Sequence, residues 1–217
     1  MITGVYSMTL CDIGNTSFHF LENEHQFKVS VEDTIEHLNL KEPIYYISVN
    51  KDGEKKLLRK FPNAINIEDK IVLKSNYATT LGVDRALGCY GYSDAIIVDF
   101  GSAITVDIIA HNNHLGGFIL PGVEKLKEIY PNISQKLTFD YIEKINLHTI
   151  PTTTNEAISY AINAMIVEPI KINYQRYNLP LIITGEHGKK FLNYFNNVFY
   201  EPNLIFKNMK LLLEMEK

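Results

Sequence analysis

Hydrophobic and polar positions in the first part of the chain follow patterns that predict strands interspersed with helices. Phe18 and Phe20 alternate with Ser17 and His19, as in a strand that buries one face. Apolar positions standing among charged residues instead indicate helices, the second of which Pro62 closes. On these patterns we predict strands at 6–13, 16–21, 26–30 and 44–49, and helices at 31–40 and 54–61.

The same order of elements restarts after a polar and aromatic segment, 74–81, that has no clear period. We predict strands at 95–100, 103–110, 114–120 and 181–184, and helices at 84–91, 123–130, 155–174, 189–195 and 209–215. Strands alternating with helices argue for an α/β fold in both halves. We therefore expect two domains, 1–77 and 78–217.

Composition and charge narrow the classes of function. The chain has 217 residues, 46% of them hydrophobic and 21% charged, which is ordinary globular composition. A formal net charge of −4 offers no overall basic field for a nucleic-acid partner. No stretch approaches the roughly 18 apolar residues of a membrane span, and the N-terminus lacks a basic signal region. We expect a cytoplasmic protein with neither nucleic acid nor membrane as partner.

Cysteines and histidines give no sign of a metal centre. Cys11 and Cys89 form no CxxC pair and have no neighbouring histidine pair, so we expect two reduced, buried thiols. His19, His111 and His114 have no carboxylate or histidine four positions further on, as a helical metal site would have, and we expect them at the surface or at strand edges.

The most informative feature is a strand–turn–strand segment that occurs twice, at 10–16 and again at 98–103. Each copy has an apolar strand, an aspartate at its end, one apolar residue, a glycine, a small polar residue and a second strand. The two aspartates, Asp12 and Asp99, stand 87 positions apart. An isolated Asp-x-Gly is a common turn on conformational grounds alone, but its repetition within two similar arrangements favours a function.

The chemistry of this turn suits a nucleotide. Glycine allows a tight turn and a close approach of the backbone to a ligand, and successive N–H groups make a concavity for phosphate oxygens. An aspartate at the strand end holds a hydrated Mg²⁺ or another cation. Two such hairpins facing each other would grip a nucleotide in a cleft between related domains. The duplication points to a duplicated ribonuclease-H-like fold with two mixed sheets flanked by helices, as in actin and the sugar kinases, and no P-loop or GxGxxG competes.

Six short motifs in order make the chain resemble the type III pantothenate kinases, also known as Bvg accessory factors. These motifs match the family patterns DxGNT, GxDR, DxGTAxTxD, GGxIxPG, TxxA and TGG, the last only in part. They are residues 12–16 (DIGNT), 82–85 (GVDR), 99–107 (DFGSAITVD), 116–122 (GGFILPG), 154–157 (TNEA) and 184–185 (TG).

The resemblance implies an activity and a role for each matching residue. Such kinases transfer the γ-phosphoryl group of ATP to pantothenate, which gives 4′-phosphopantothenate in the first step of coenzyme A biosynthesis. Asp84 would accept the proton of the substrate hydroxyl, and Asp99 would ligate the monovalent cation, K⁺ or NH₄⁺, that this family requires. Asp12 would lie by the Mg²⁺-bound phosphates. The expected ATP contacts are Asp12, Ile13, Gly14, Asn15, Thr16 and Ser102, and the expected pantothenate contacts are Tyr77, Gly82, Val83, Arg85 and Thr154.

The resemblance also implies a homodimer, and Arg85 is a natural partner for the carboxylate of pantothenate. Two substitutions depart from the family patterns: Ser102 replaces a threonine but keeps the hydroxyl, and Glu186 replaces the second glycine of TGG. Two alternatives stay open. One is another phosphotransferase or phosphohydrolase of the same superfamily, which would not need Arg85 if its acceptor had no carboxylate. The other is a nucleotide-binding regulatory protein without catalysis.

Overall fold

The computed structural model describes residues 8–77 and 80–214. The chain forms two compact units. One comprises the chain up to Gly91 together with the segment from Leu204 onward, and the other is Tyr92–Asn203. This division differs from the expected boundary between residues 77 and 78, because α2, described below, and the C-terminal segment both belong to the first unit.

The first unit is built on a five-stranded mixed sheet. Its strands are β1 (Thr9–Ile13), β2 (Ser17–Glu22), β3 (His25–Ser30), β4 (Ile44–Ser48) and β5 (Ile65–Asn66), in the order β3-β2-β1-β4-β5. β1, β2 and β3 are antiparallel, whereas β4 runs parallel to β1, and β5 parallel to β4. Its first two helices are α1 (Lys51–Lys60) and α2 (Val83–Cys89).

The central strand β1 is covered on both faces. Cys11 packs in one hydrophobic cluster with Leu57 of α1, and Leu10 packs in another with Leu87 of α2. Burial raises the pKa of the Cys11 thiol, which keeps it protonated and unreactive. Both cysteines are free and buried, as expected.

The second unit repeats the same sheet. Its strands are β6 (Ala95–Phe100), β7 (Ala103–Ala110), β8 (Asn113–Pro121), β9 (Leu181–Thr184) and β10 (Val198–Tyr200), in the order β8-β7-β6-β9-β10. The first three are again antiparallel and the last two again parallel to the central strand. Helices α3 (Val123–Ile133) and α4 (Thr154–Tyr177) pack apolar side chains on β6 and β7, and a 3₁₀ helix spans Gly188–Tyr194. The repeated topology confirms the expected duplicated ribonuclease-H-like fold.

The C-terminal helix α5 (Leu204–Glu214) returns to the first unit. Met209 and Leu212 are buried beside Leu10 and Leu87. The side chain of Asn208 donates hydrogen bonds to the carbonyls of Leu87 (2.7 Å) and Gly88 (3.2 Å) at the end of α2. The helix begins five residues earlier than the predicted 209–215, and it completes the first unit rather than the second.

The prediction of a helix at 31–40 is wrong, since this segment forms turns without regular structure. Ser30 and Thr34 accept hydrogen bonds through their side chains from the backbone two residues on, and such local bonds compete with a helix. Lys56 of α1 donates to the carbonyls of Val31 and Asp33, which fixes the turn. Ile35 is fully buried, so its apolar character reflects burial in the core and not a position on a helix.

Within residues 8–77 and 80–214, no helix is long and apolar enough to cross a membrane.

Candidate active site

The two Asp-x-Gly turns have the same local geometry, each within its own unit. The Gly14 N–H donates to the Ser17 carbonyl at 3.0 Å, and the Gly101 N–H donates to the Ala103 carbonyl at 3.0 Å. Neither glycine has a positive φ, and an added Cβ would lie 3.4 Å from the same two carbonyl oxygens. The glycines therefore leave room beside each turn, but the backbone conformation does not require glycine at either position.

In the first turn the predicted phosphate contacts follow one another from strand to loop. Asp12 is half-buried near the end of β1, and Ile13 is fully buried, so Ile13 anchors the turn through packing. Asn15 and Thr16 are exposed at its tip, where both backbone and side-chain donors reach solvent. The Asn50 amide donates to the Asn15 carbonyl at 3.1 Å, and Asn50 also caps the N-terminus of α1.

The second turn lies against the start of α3. Ser102 is exposed at its tip, and the Ser102 carbonyl accepts from the N–H of Gly122, the N-cap of α3, at 3.0 Å. A Cβ on Gly122 would lie 2.4 Å from the Ser102 oxygen and 2.6 Å from the Gly101 oxygen. Only glycine allows this approach, which brings the first N–H groups of a helix next to the turn. Helix N-termini favour bound phosphate, and Gly122, to which the sequence analysis gives no role, places one beside the second turn.

Asp99 is held by the loop that follows β9. Its strand β6 pairs with β9, and Asp99 lies opposite Thr184. Gly185 has φ +86, and a Cβ there would lie 2.3 Å from Asp99 Oδ1 and 2.6 Å from the Phe100 nitrogen. Gly185 therefore needs to be glycine for both its conformation and its contact with Asp99. Glu186, which follows it, is exposed.

Asp84 occupies the first turn of α2, where Gly82 is the N-cap and supplies no side-chain cap. The Asp84 carboxylate takes that place: Oδ1 accepts from the Arg85 N–H at 2.8 Å. Val83 is buried and fixes the helix start to the core of the first unit. The carboxylate is half-buried at a helix N-terminus, where its negative charge is favoured.

Arg85 and Tyr77 form a pair in the first unit. The Arg85 guanidinium carbon lies 4.9 Å from the centre of the Tyr77 ring, and Arg85 Nη1 is 3.4 Å from the Tyr77 hydroxyl. Arg85 is only 7% exposed, which is uncommon for arginine and contrasts with the ordinary solvated arginine of a helix start. The structure thus brings Tyr77, Gly82, Val83, Asp84 and Arg85 together.

Thr154 is the first residue of α4 and is exposed. The cap of this helix is its neighbour Thr153, which forms a capping box with Glu156. Hydrogen bonds from the Thr152 and Thr153 backbone lower the pKa of the Glu156 carboxyl. Thr154 itself is not used by the cap, which leaves its hydroxyl for another role.

The expectation for His114 is wrong. His114 is fully buried, and its Nε2 lies 2.8 Å from Oδ1 of Asp107, which is itself 2% exposed. The two residues meet because the register of β7 and β8 shifts at a bulge between Ile108 and Ile109. The sequence held one signal of this pairing, because Asp107 stands inside an otherwise apolar strand. His111 is at the surface, as expected, in the turn between these strands.

A cavity of about 310 Å³ lies in the second unit, and none of the predicted site residues lines it. Its walls include Lys144, Lys171, Lys190, His148 and Tyr194. Lys190 is paired with Glu143, and Lys171 lies 3.5 Å from Glu168, so neighbouring carboxylates neutralise part of the positive charge.

The fold and these turns define a class: proteins with a duplicated ribonuclease-H-like fold, in which paired Asp-x-Gly hairpins suit the phosphates of a nucleotide. The family model of type III pantothenate kinase matches residues 24–176, and the chain belongs to this family. It is 39% identical to the type III pantothenate kinase of Campylobacter jejuni, over 95% of this chain and 97% of the relative. It is 38% identical to that of Helicobacter hepaticus, over 96% and 100%.

Solved structures agree with this assignment. A crystal structure of a conserved Baf family protein from Campylobacter jejuni, described as a candidate transcriptional activator, superposes with a TM-score of 0.82 at 36% identity and covers 96% of this chain and 98% of its own. The ethanolamine utilization protein EutJ from Carboxydothermus hydrogenoformans matches with a TM-score of 0.50 at 10% identity, over 91% of this chain and 85% of its own. This second likeness concerns the fold alone.

Proposed function

We propose that this protein transfers the γ-phosphoryl group of ATP to the primary hydroxyl of pantothenate, with Asp84 as the general base. Membership of the type III pantothenate kinases supports the activity. The observation that carries the residue roles is the group at the start of α2, where Asp84 stands next to the buried Arg85 and its partner Tyr77.

The arrangement suits both ends of the substrate. Arg85 presents a rigid fork that pairs bidentately with the carboxylate of pantothenate, and the Tyr77 ring beneath it restricts its orientation. Asp84, one residue earlier, accepts the proton of the hydroxyl as the bond to phosphorus forms. The base need not be strong, because phosphoryl transfer depends mainly on in-line positioning and neutralisation of charge. We propose Gly82, Val83 and Thr154 as further contacts of pantothenate.

The two hairpins bind the phosphates of ATP in this proposal. Backbone N–H groups of Asn15 and Thr16 and the hydroxyl of Ser102 supply neutral donors, and Gly14, like its neighbour Ile13, contributes by shaping the turn. Asp12 orients Mg²⁺ through its water shell, which is the usual way in which this ion is held beside phosphates. Mg²⁺ supplies charge neutralisation on the phosphates when bound.

The residues around Asp99 fit a monovalent cation. Gly185 leaves room for the Asp99 carboxylate, since a Cβ at position 185 would lie 2.3 Å from Asp99 Oδ1. A hard cation prefers oxygen ligands of this kind. We propose that K⁺ or NH₄⁺ binds at Asp99 and offsets negative charge near the phosphates.

We further propose a homodimer in the cytoplasm. Met165 and Ile172 are 46% and 53% exposed and stand seven positions apart on α4, so they share a face that another copy could cover. Two free, buried cysteines suit a reducing compartment. Sedimentation equilibrium of the purified protein tests the dimer, and a monomer at micromolar concentration would contradict it.

A steady-state assay with ATP, Mg²⁺ and pantothenate, in K⁺ and in Na⁺ alone, tests the function. Wild type should release ADP only with pantothenate present, and faster in K⁺. Asp84→Asn keeps the size of the side chain but removes the base, and should lower kcat by about 100-fold or more. Folded wild-type protein that shows no pantothenate-dependent turnover in either salt would exclude the kinase. In that case ATP hydrolysis without pantothenate would favour a phosphohydrolase, and ATP binding without turnover a regulatory protein.

A further inference from the structure

Gly82 has a backbone conformation that any residue can adopt. Its φ is −60° and its ψ is 144°, in the extended region where an N-cap residue normally lies. Serine, threonine, asparagine and aspartate are favoured at this position, because their side chains accept hydrogen bonds from the free N–H groups of the first turn, and glycine is also common there. Gly82 supplies no side-chain cap to α2, and its surroundings give a further reason for glycine.

The reason lies in the Asp84 carboxylate. A Cβ on Gly82 would lie 2.5 Å from Asp84 Oδ1, well inside van der Waals contact. The same oxygen accepts the Arg85 N–H at 2.8 Å, so the carboxylate folds back over the helix N-terminus into the space that a Cβ would fill. With any other residue at position 82, the end of the Asp84 side chain is the group that has to move, since it is the flexible partner in this contact.

We propose that Gly82 is a positioning residue that sets the orientation of the Asp84 carboxylate for proton transfer. This inference rests on the proposed role of Asp84 as the base. Alanine at position 82 turns the carboxylate away, breaks its hydrogen bond to the Arg85 N–H and misplaces the oxygen that takes the proton. A misplacement of about 1 Å at a reacting group costs about 100-fold in rate.

Gly88 offers a matched control on the same helix. It also has no positive φ, and a Cβ there would meet nothing closer than Ile205 Cδ1 at 3.9 Å. Gly88→Ala therefore makes the same chemical change in α2 without touching Asp84. Asp84→Ala provides a background in which the carboxylate that Gly82 accommodates is gone.

The experiment compares Gly82→Ala, Gly88→Ala, Asp84→Ala and the double variant Gly82→Ala/Asp84→Ala in a radiometric assay sensitive enough for residual turnover. Melting temperatures, KM for ATP and calorimetric Kd for pantothenate are measured in parallel. We expect Gly82→Ala to lower kcat by about 10- to 100-fold with KM for ATP unchanged, and Gly88→Ala to stay within about twofold of wild type. In the Asp84→Ala background, Gly82→Ala should lower kcat no further, and the Kd for pantothenate reports separately on any direct contact of Gly82 with the substrate.

Two results would overturn the inference while leaving the base in place. One is a normal kcat in Gly82→Ala beside an inactive Asp84→Ala. The other is an equal fold loss of kcat from Gly82→Ala in both backgrounds, which would mean that Gly82 acts on turnover independently of the Asp84 carboxylate. Wild-type activity in Asp84→Ala would instead overturn the proposed role of Asp84 as the base. The two failures are distinguishable, because Gly82→Ala tests the inference and Asp84→Ala tests the base.

Discussion

Arg85 carries its charge inside the first unit, 4.9 Å above the ring of Tyr77 and only 7% exposed. The guanidinium is a rigid, permanently charged fork, and it stands beside the proposed catalytic aspartate. In the proposed function it pairs with the carboxylate of pantothenate.

Arg85→Met should therefore lower kcat/KM for pantothenate by about 10- to 100-fold, since a hydrogen bond to a charged group contributes about 1.5–3 kcal/mol. Arg85→Lys keeps the charge but loses the fork, and should fall between Arg85→Met and wild type. Pantothenamide, which lacks the carboxylate charge, serves as the comparison substrate. If both variants affect pantothenate and pantothenamide equally, Arg85 does not recognise the carboxylate.

Gly185 is a glycine that the backbone itself requires. Its φ is +86, and a Cβ at this position would lie 2.3 Å from Asp99 Oδ1. Gly185→Ala should lower the free energy of unfolding by about 2–5 kcal/mol, from left-handed strain and overpacking against Phe100 backbone. Urea denaturation measures the loss, with Gly88→Ala as the control. An unchanged midpoint in Gly185→Ala would contradict this account of the Asp99 loop.

At the scale of elements, the segment between α3 and α4 contains one short 3₁₀ helix, Gln135–Leu137, and is tied to α4 by polar contacts. The Tyr141 hydroxyl donates to Asn163 Oδ1 at 3.2 Å, and Ser159 Oγ accepts the Ile142 N–H at 2.9 Å. Asn163 and Ser159 are fully buried in α4. These contacts explain why two polar residues stand on the buried side of a core helix.

Tyr141 makes this attachment dependent on pH. Burial raises the pKa of Tyr141 to about 12, whereas an unfolded tyrosine titrates near pH 10. Because the folded pKa is the higher one, the contribution of the neutral phenol to stability is complete below pH 10 and is lost as the pH rises toward 12. Tyr141→Phe should cost about 1 kcal/mol near neutral pH through the lost hydrogen bond.

The gap in unfolding free energy between wild type and Tyr141→Phe should accordingly shrink between pH 10 and pH 12. Urea denaturation at several pH values measures it. Absorbance at 295 nm should show one phenol fewer titrating at the high end in the variant. A gap that stays constant across this range would mean that Tyr141 titrates normally.

At the scale of the whole molecule, the chain builds the same five-stranded sheet twice and then adds α5 to the first copy. Asn208 joins α5 to α2 by donating to the carbonyls of Leu87 and Gly88. These carbonyls lie in the last turn of α2, and Asp84 lies in its first turn. Free carbonyls at a helix C-terminus need partners when buried, and here the last helix of the chain supplies them.

Asn208→Ala should therefore lower the free energy of unfolding by about 1–3 kcal/mol, because it removes two buried hydrogen bonds to α2, although the Leu87 carbonyl keeps its bond from the Tyr90 N–H. Lys210→Ala on the same helix removes only a surface contact with Glu24 and should cost less than about 1 kcal/mol. Amide hydrogen exchange should show lower protection in α2 of Asn208→Ala and no change in the sheet of Tyr92–Asn203. Equal losses in both units would contradict the division that the structure shows.

Local chemistry in the sequence determined the strands, the two turns and the residues of the proposed site. β6 and β7 lie where the hydrophobic pattern predicts them, and Asp-x-Gly turns form through contacts within a few residues. The order of short motifs also determined the family, which the comparisons confirm. These features depend on neighbours in sequence, so the sequence alone contains them.

Tertiary structure determined the features that depend on contacts between residues far apart in the chain. Lys56 of α1 fixes the turns of 31–40 from more than 20 positions away, and the partner strand buries His114 against Asp107. The reasons for glycine at positions 122 and 185 are contacts with residues 20 and 86 positions earlier in the chain. No local pattern encodes such contacts, because they exist only once the packed chain has brought the two segments together.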